Sequence, residues 1–155
     1  MSVAVGMALG LKMDKKEFRV FTLLGDGELS EGSIWEAAST ASKYQLDNLI
    51  VIVDRNKLQI TGNTEEVNPL EPLADKFLSF GFSISETLGN DISSLMEILQ
   101  KTPKEKSKPN LIIANTVKGA GVSFIENQIA WHHKVPSETE YNMAMKELDE
   151  ALLNV

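Results

Sequence analysis

Asp26 sits between two glycines, Gly25 and Gly27, directly after an apolar run, and Asn56 follows a second apolar run. If both runs are neighbouring strands of one parallel sheet, their carboxyl ends lie on a common edge, where such sheets bind ligands. Asp26 then offers a hard anionic oxygen and Asn56 a neutral one. The backbone carbonyl of Leu58, two residues on, can supply a third. Three protein oxygens, together with diphosphate oxygens and a water, complete a near-octahedral Mg²⁺ shell. The glycines let the backbone approach a phosphate, and a helix starting near Ser30 can aim amide N–H groups at it. Two other readings of the same segment fail. An EF-hand loop starting at Asp26 needs glycine at its sixth position, which is Glu31. A dinucleotide-binding fingerprint needs a third glycine where Ser30 stands.

The elements that must position these groups follow from hydrophobic periodicity. Residues 1–11 read as a helix in which Ala4, Gly6, Ala8 and Gly10 permit close backbone packing. Residues 18–24 read as a buried strand and residues 30–44 as a helix capped by Ser30, with Ile34, Ala37, Ala38 and Ala41 at helical spacing. Leu49 to Val53 is a nearly continuous apolar strand, as expected where helices cover both faces of a parallel sheet. A long polar loop is expected from Asp54 to Pro72, and its length hints at function. Beyond it come a helix over 73–80, a strand over 82–87, a helical stripe of Ile92, Leu95, Met96 and Leu99, and a strand over 111–115. The last helix spans 137–153, with Ser137 and Glu140 in capping-box positions. Strands alternating with helices define an α/β fold with a mainly parallel sheet flanked by helices.

Composition narrows the classes. The chain has 155 residues, 43% of them hydrophobic, which suits one compact domain. A net charge of −7 argues against nucleic acid and against an anionic membrane surface as partners. Cysteine is absent, which removes disulfides and thiolate chemistry and agrees with a cytoplasmic location. The lysine-rich segment 103–109 reads as an exposed connection.

The Gly25-Asp26-Gly27 turn, twenty-eight intervening residues and then Asn56 match the diphosphate-binding motif of thiamine diphosphate enzymes. The segment from Gly25 to Ala37, GDGELSEGSIWEA, resembles the transketolase version of that motif, and 115–124 with Ala130-Trp131-His132 resembles the later part of the N-terminal subunit of split transketolases. The resemblance implies thiamine diphosphate and Mg²⁺ as cofactors, with Asp26, Asn56 and the Leu58 carbonyl as metal ligands. It implies Gly25, Gly27 and Asn56 at the diphosphate and Ile60 near the cofactor rings. His132 matches an active-site histidine that contacts both the diphosphate and the reacting sugar, and Glu31 matches a buried carboxylate near a subunit contact. His133 departs from the pattern, in which glycine follows the histidine.

The implied activity is transfer of a two-carbon ketol unit between sugar phosphates, as in the pentose phosphate pathway. Residues 1–155 are then one incomplete diphosphate-binding domain: the family's match begins at Ser2, after a Gly-rich segment that precedes it elsewhere. The expected partner is a complementary C-terminal, pyrimidine-binding subunit, in a homo- or hetero-oligomer. Other readings are a non-catalytic scaffold or regulatory remnant, and a related thiamine diphosphate enzyme such as a deoxyxylulose phosphate synthase or a dehydrogenase component.

Overall fold

A computed structural model describes residues 1–153; residues 154 and 155, the end of the expected domain, lie outside the described residues. Helix α1 (Ser2–Met13) leads into strand β1 (Val20–Gly25), a 3₁₀ turn (Gly27–Ser30) and helix α2 (Gly32–Lys43). Strand β2 (Leu49–Arg55) is followed by a two-residue hairpin, β3 (Leu58–Gln59) and β4 (Gly62–Asn63), and one helical turn, α3 (Thr64–Val67). Then come α4 (Leu73–Ser79), β5 (Ser83–Leu88), α5 (Ile92–Gln100), β6 (Asn110–Asn115), a second 3₁₀ turn (Ile129–His132) and α6 (Glu138–Leu152).

The main sheet is wholly parallel, in the order β1-β2-β6-β5. The arrangement is the expected α/β fold, a parallel sheet flanked by helices. Strand β2 is central, and Leu49, Ile50, Val51 and Val53 are completely buried. Continuous apolar sequence is what burial on both faces requires. Strand β1 is an edge, and Phe21 and Leu23 on it are 46% and 68% exposed.

Helix α1 packs on α2, and their contact is built from small residues, with Ala4 and Ala8 on one side and Ala37, Ala38 and Ala41 on the other all buried. The expected role of the α1 glycines needs correction. Gly6 and Gly10 are exposed, and a Cβ on either would meet no atom within 4 Å. At 100° per residue they fall on the side of the helix away from Ala4 and Ala8. The cap of α2 also differs: Glu31, not Ser30, is the N-cap, and its side chain makes no capping bond. Ser30 ends the 3₁₀ turn, and its hydroxyl accepts a hydrogen bond from Asn68 at 3.0 Å.

The polar stretch after β2 is more ordered than a loop. Asn63 caps α3 by accepting from the Glu65 amide at 2.9 Å, and Thr64 is fully buried. Helix α6 begins with the expected capping box of Ser137 and Glu140. No helix among the described residues is long and apolar enough to cross a membrane.

Aromatic packing ties α4 to the sheet. Phe77, fully buried, lies 5.1 Å from Trp35 of α2 and 5.2 Å edge-on from Phe82, just before β5. Truncating Phe77 to alanine removes both contacts and leaves a cavity. The variant is expected to lose about 3–5 kcal/mol of stability, measurable as a lowered denaturation midpoint.

Candidate functional site

The register of the sheet builds the site. Gly25 of β1 is level with Asp54 of β2, so Asp26 and Asn56, each just past its strand, emerge side by side. The Asp26 amide donates to the Asp54 carbonyl at 3.2 Å, continuing the ladder by one residue. Arg55 in turn is level with Asn115 of β6, and the Thr116 amide donates to the Arg55 carbonyl at 3.3 Å. The segment leading to His132 therefore leaves the sheet beside Asn56.

These residues border one cleft of about 490 Å³ at the carboxyl edge of the sheet. Gly25, Asp26, Gly27, Asn56, Leu58, Ile60 and His132 all line it. Glu31 does not: its carboxylate is exposed and lies outside the lining. Ser30, Glu28, Gln59 and Thr61 complete the wall, and the sequence motifs assign no role to the last three.

Asp26 is 1% exposed and its carboxylate is held on three sides. Oδ1 accepts from the Gly27 amide at 2.8 Å; Oδ2 accepts from the Lys57 amide at 2.6 Å and from Arg55 at 2.9 Å. Asn56 Oδ1 accepts from the Leu58 amide at 2.9 Å, which fixes the turn carrying the Leu58 carbonyl. Gly27 is required by contact, because a Cβ there would fall 2.9 Å from the Cβ of Gln59. At Gly25 a Cβ would meet nothing within 4 Å, so the wall is open at that point. The amide of Gly25 is engaged by Glu28 at 3.3 Å.

Arg55 was missed by motif reading. It is 2% exposed, and every donor of its guanidinium is used: Nε and NH2 on Glu71, NH2 also on Glu65, NH1 on Asp26 and on the Thr64 hydroxyl. Burial draws its pKa down, but the bonds to Glu71, Asp26 and Glu65 outweigh burial and raise it. A signal for it existed. Along β2, Val51, Val53 and Arg55 alternate onto one buried face, where an arginine must find anions.

Lys118 was missed as well. It is half-buried near His132, and its ammonium makes no hydrogen bond or ion pair among the described residues. His132 is exposed on the 3₁₀ turn that packs against β3. Desolvation, then the charges of Lys118 and His133, lower its pKa below 6.5. Its ring meets that of His133 edge-on at 4.8 Å. The neighbouring Trp131 anchors the turn, with Phe124 at 5.6 Å on one side and Lys134 at 4.2 Å over its ring. Lys134 also pairs with Glu140 of the α6 capping box.

The donor set suits a hard divalent cation: one carboxylate, one amide oxygen and a backbone carbonyl on one wall, with an open glycine face beside them. These donors lie at the carboxyl edge of a parallel α/β sheet, where such folds bind ligands. The sequence matches the family described as "Transketolase, thiamine diphosphate binding domain" over residues 10–149. The chain belongs to that family. It is 49% identical over 146 residues to an apulose-4-phosphate transketolase subunit of Actinobacillus succinogenes, covering 94% of this chain and 52% of that protein. It is 43% identical over 152 residues to the same-named protein of Phocaeicola vulgatus, covering 98% and 54% respectively. The 6-deoxy-6-sulfo-D-fructose transketolase subunit SqwG of a Clostridium species is 42% identical over 148 residues, covering 96% and 54%. The chain thus spans about half the length of these relatives. Among solved structures, the transketolase of Campylobacter jejuni superposes with a TM-score of 0.77 at 25% identity, covering 97% of this chain and 29% of that one.

The Arg55 cluster gives a pH signature. Glu71 is held below 4.5 by the Leu73 amide and Arg55; burial pushes Glu65 upward, but the Leu70 and Glu71 amides and Arg55 outweigh it and hold Glu65 below 4.5 too. Folded pKa values below the unfolded ones add stability that is complete above pH 4.5 and disappears as pH falls through the lowered values. Denaturation midpoints measured between neutral and acid pH should therefore drop below pH 4.5, and Glu71→Gln should flatten that drop.

Proposed function

We propose that this chain is the diphosphate-binding part of a thiamine diphosphate- and Mg²⁺-dependent transketolase, a single incomplete domain that works with a complementary pyrimidine-binding subunit. The observation that carries the reading is the convergence of Asp26, Asn56, Leu58 and His132 on one cleft bordered by Gly25 and Gly27. Asp26, Asn56 and the Leu58 carbonyl would hold the metal, with Gly25 leaving room for the diphosphate and Ile60 beside the rings. When bound, the cofactor supplies the carbanion chemistry by which a two-carbon ketol unit passes between sugars.

The chain's own groups bind, orient and move protons. Lys118 offers an uncommitted cation beside the cleft for an anionic group. His132, held below 6.5, is uncharged at neutral pH, so a ring nitrogen can take a proton from a sugar hydroxyl and return it. Glu31 and the apolar edge formed by Phe21 and Leu23 lie outside the cleft, on surface available to another subunit. We take the donor to be a ketose with an anionic terminus, the feature shared by the sugars named for the relatives. A cytoplasmic location accords with a sequence free of cysteine.

Calorimetry with thiamine diphosphate and Mg²⁺, with the complementary subunit present, tests the reading. Binding is expected, and Asp26→Ala should weaken it by more than the about 10–100-fold that loss of an outer partner costs. His132→Ala should lower ketol transfer by about 10²–10⁴-fold. Absence of cofactor binding by the unaltered protein would remove the chemical basis of the assignment.

A further inference from the structure

Arg55 does more than neutralise buried charge. A carboxylate has about four lone-pair directions, two on each oxygen. On Asp26, Oδ2 is filled by the Arg55 guanidinium at 2.9 Å and the Lys57 amide at 2.6 Å, while Oδ1 takes only the Gly27 amide at 2.8 Å. One direction remains, and it belongs to Oδ1. The guanidinium cannot swing aside to free Oδ2, because Glu71, Glu65 and Thr64 hold its remaining donors at 2.7–3.2 Å.

Resting on the metal assignment above, we propose that Arg55 is a specificity-determining positioning residue that restricts Asp26 to one-oxygen coordination and so favours Mg²⁺ over Ca²⁺. Mg²⁺ demands six short bonds in near-octahedral geometry and is served by single carboxylate oxygens. Ca²⁺ takes six to eight oxygens and readily uses both oxygens of one carboxylate. Closing Oδ2 removes that option for the larger ion at no cost to the smaller. The restraint comes from segment 64–71, through Glu65 and Glu71, so metal choice is set by residues that never touch the metal.

The test is titration of the chain, with the complementary subunit present, with Mg²⁺ and with Ca²⁺ in the presence of thiamine diphosphate, followed calorimetrically. In Arg55→Gln the Mg²⁺ affinity should fall about 10–100-fold while Ca²⁺ affinity falls less, lowering the Mg²⁺ to Ca²⁺ preference by at least about tenfold. Because that change strands Glu65 and Glu71, the same titration is made on Arg55→Gln/Glu65→Gln/Glu71→Gln, which removes the cation together with two of its anions; the same loss of preference is expected. An unchanged preference with both ions bound more weakly would reduce Arg55 to a structural role and overturn the inference. If the unaltered chain binds neither ion with the cofactor, the metal assignment falls and this inference with it, an outcome distinct from retained binding without discrimination.

Discussion

The ion pair between Asp26 and Arg55 is the constraint around which the carboxyl edge of the sheet is organised. Both side chains are at most 2% exposed, so neither charge can be solvated by water. Removing one partner of such a pair costs about 3–5 kcal/mol, mostly through the charge left behind. The pair is weak as a source of net stability yet strong as a constraint, because it permits very few arrangements. Every donor of Arg55 is committed, and the commitments reach the loop after β1, α3 and the entry to α4. One guanidinium thus fixes the loop after β1 against the segment that follows the β3–β4 hairpin. It faces three carboxylates, and that surplus of negative charge beside the cleft is one a divalent cation would offset.

Parallel topology explains why groups so distant in sequence meet. Each strand ends at the same edge, and a register that sets Gly25 beside Asp54 and Arg55 beside Asn115 brings three loop origins together. Side-chain chemistry is then assigned by position: oxygen donors on the loops after β1 and β2, nitrogen groups on the loop after β6. The Thr116 hydroxyl donates to the Asp54 carboxylate, locking the second junction as Arg55 locks the first. Arg55, Asp54 and Thr116 themselves lie outside the cleft lining.

Much of this was legible in the sequence. The apolar runs over 49–53 and 111–115 marked the buried strands because fully covered strands leave no room for alternation. Gly25-Asp26-Gly27 and Asn56 marked the edge because their spacing matches a strand, a helix and a second strand. What escaped was whatever depended on tertiary partners. Ser30 has the chemistry of a cap, but the 3₁₀ turn from Gly27 to Ser30 pushes the helix start on by one residue and gives that hydroxyl to Asn68. Glycines in α1 suggested close packing, yet Ala4, Val5 and Ala8 are the residues it buries while Gly6 and Gly10 are exposed, since composition does not reveal which side of a helix is covered. The stretch after β2 looked like a loop because its order comes from Arg55, Thr64 and the Asn63 cap, not from apolar periodicity.

The two walls of the cleft are stabilised by different physics, and the difference fits their proposed tasks. The wall carrying Asp26 and Asn56 is pinned by buried and part-buried hydrogen bonds, which tolerate little displacement and suit ligands that must keep ångström-level geometry. The wall carrying His132 is held by Trp131, which meets Phe124 at a tilt and has Lys134 over its ring, with Lys134 tied to Glu140 on the surface. Contacts of that kind position a ring without burying it, and exposure leaves His132 able to exchange protons. Desolvation first, then the charges of Lys118 at the root of the same loop and of His133, hold the His132 pKa down.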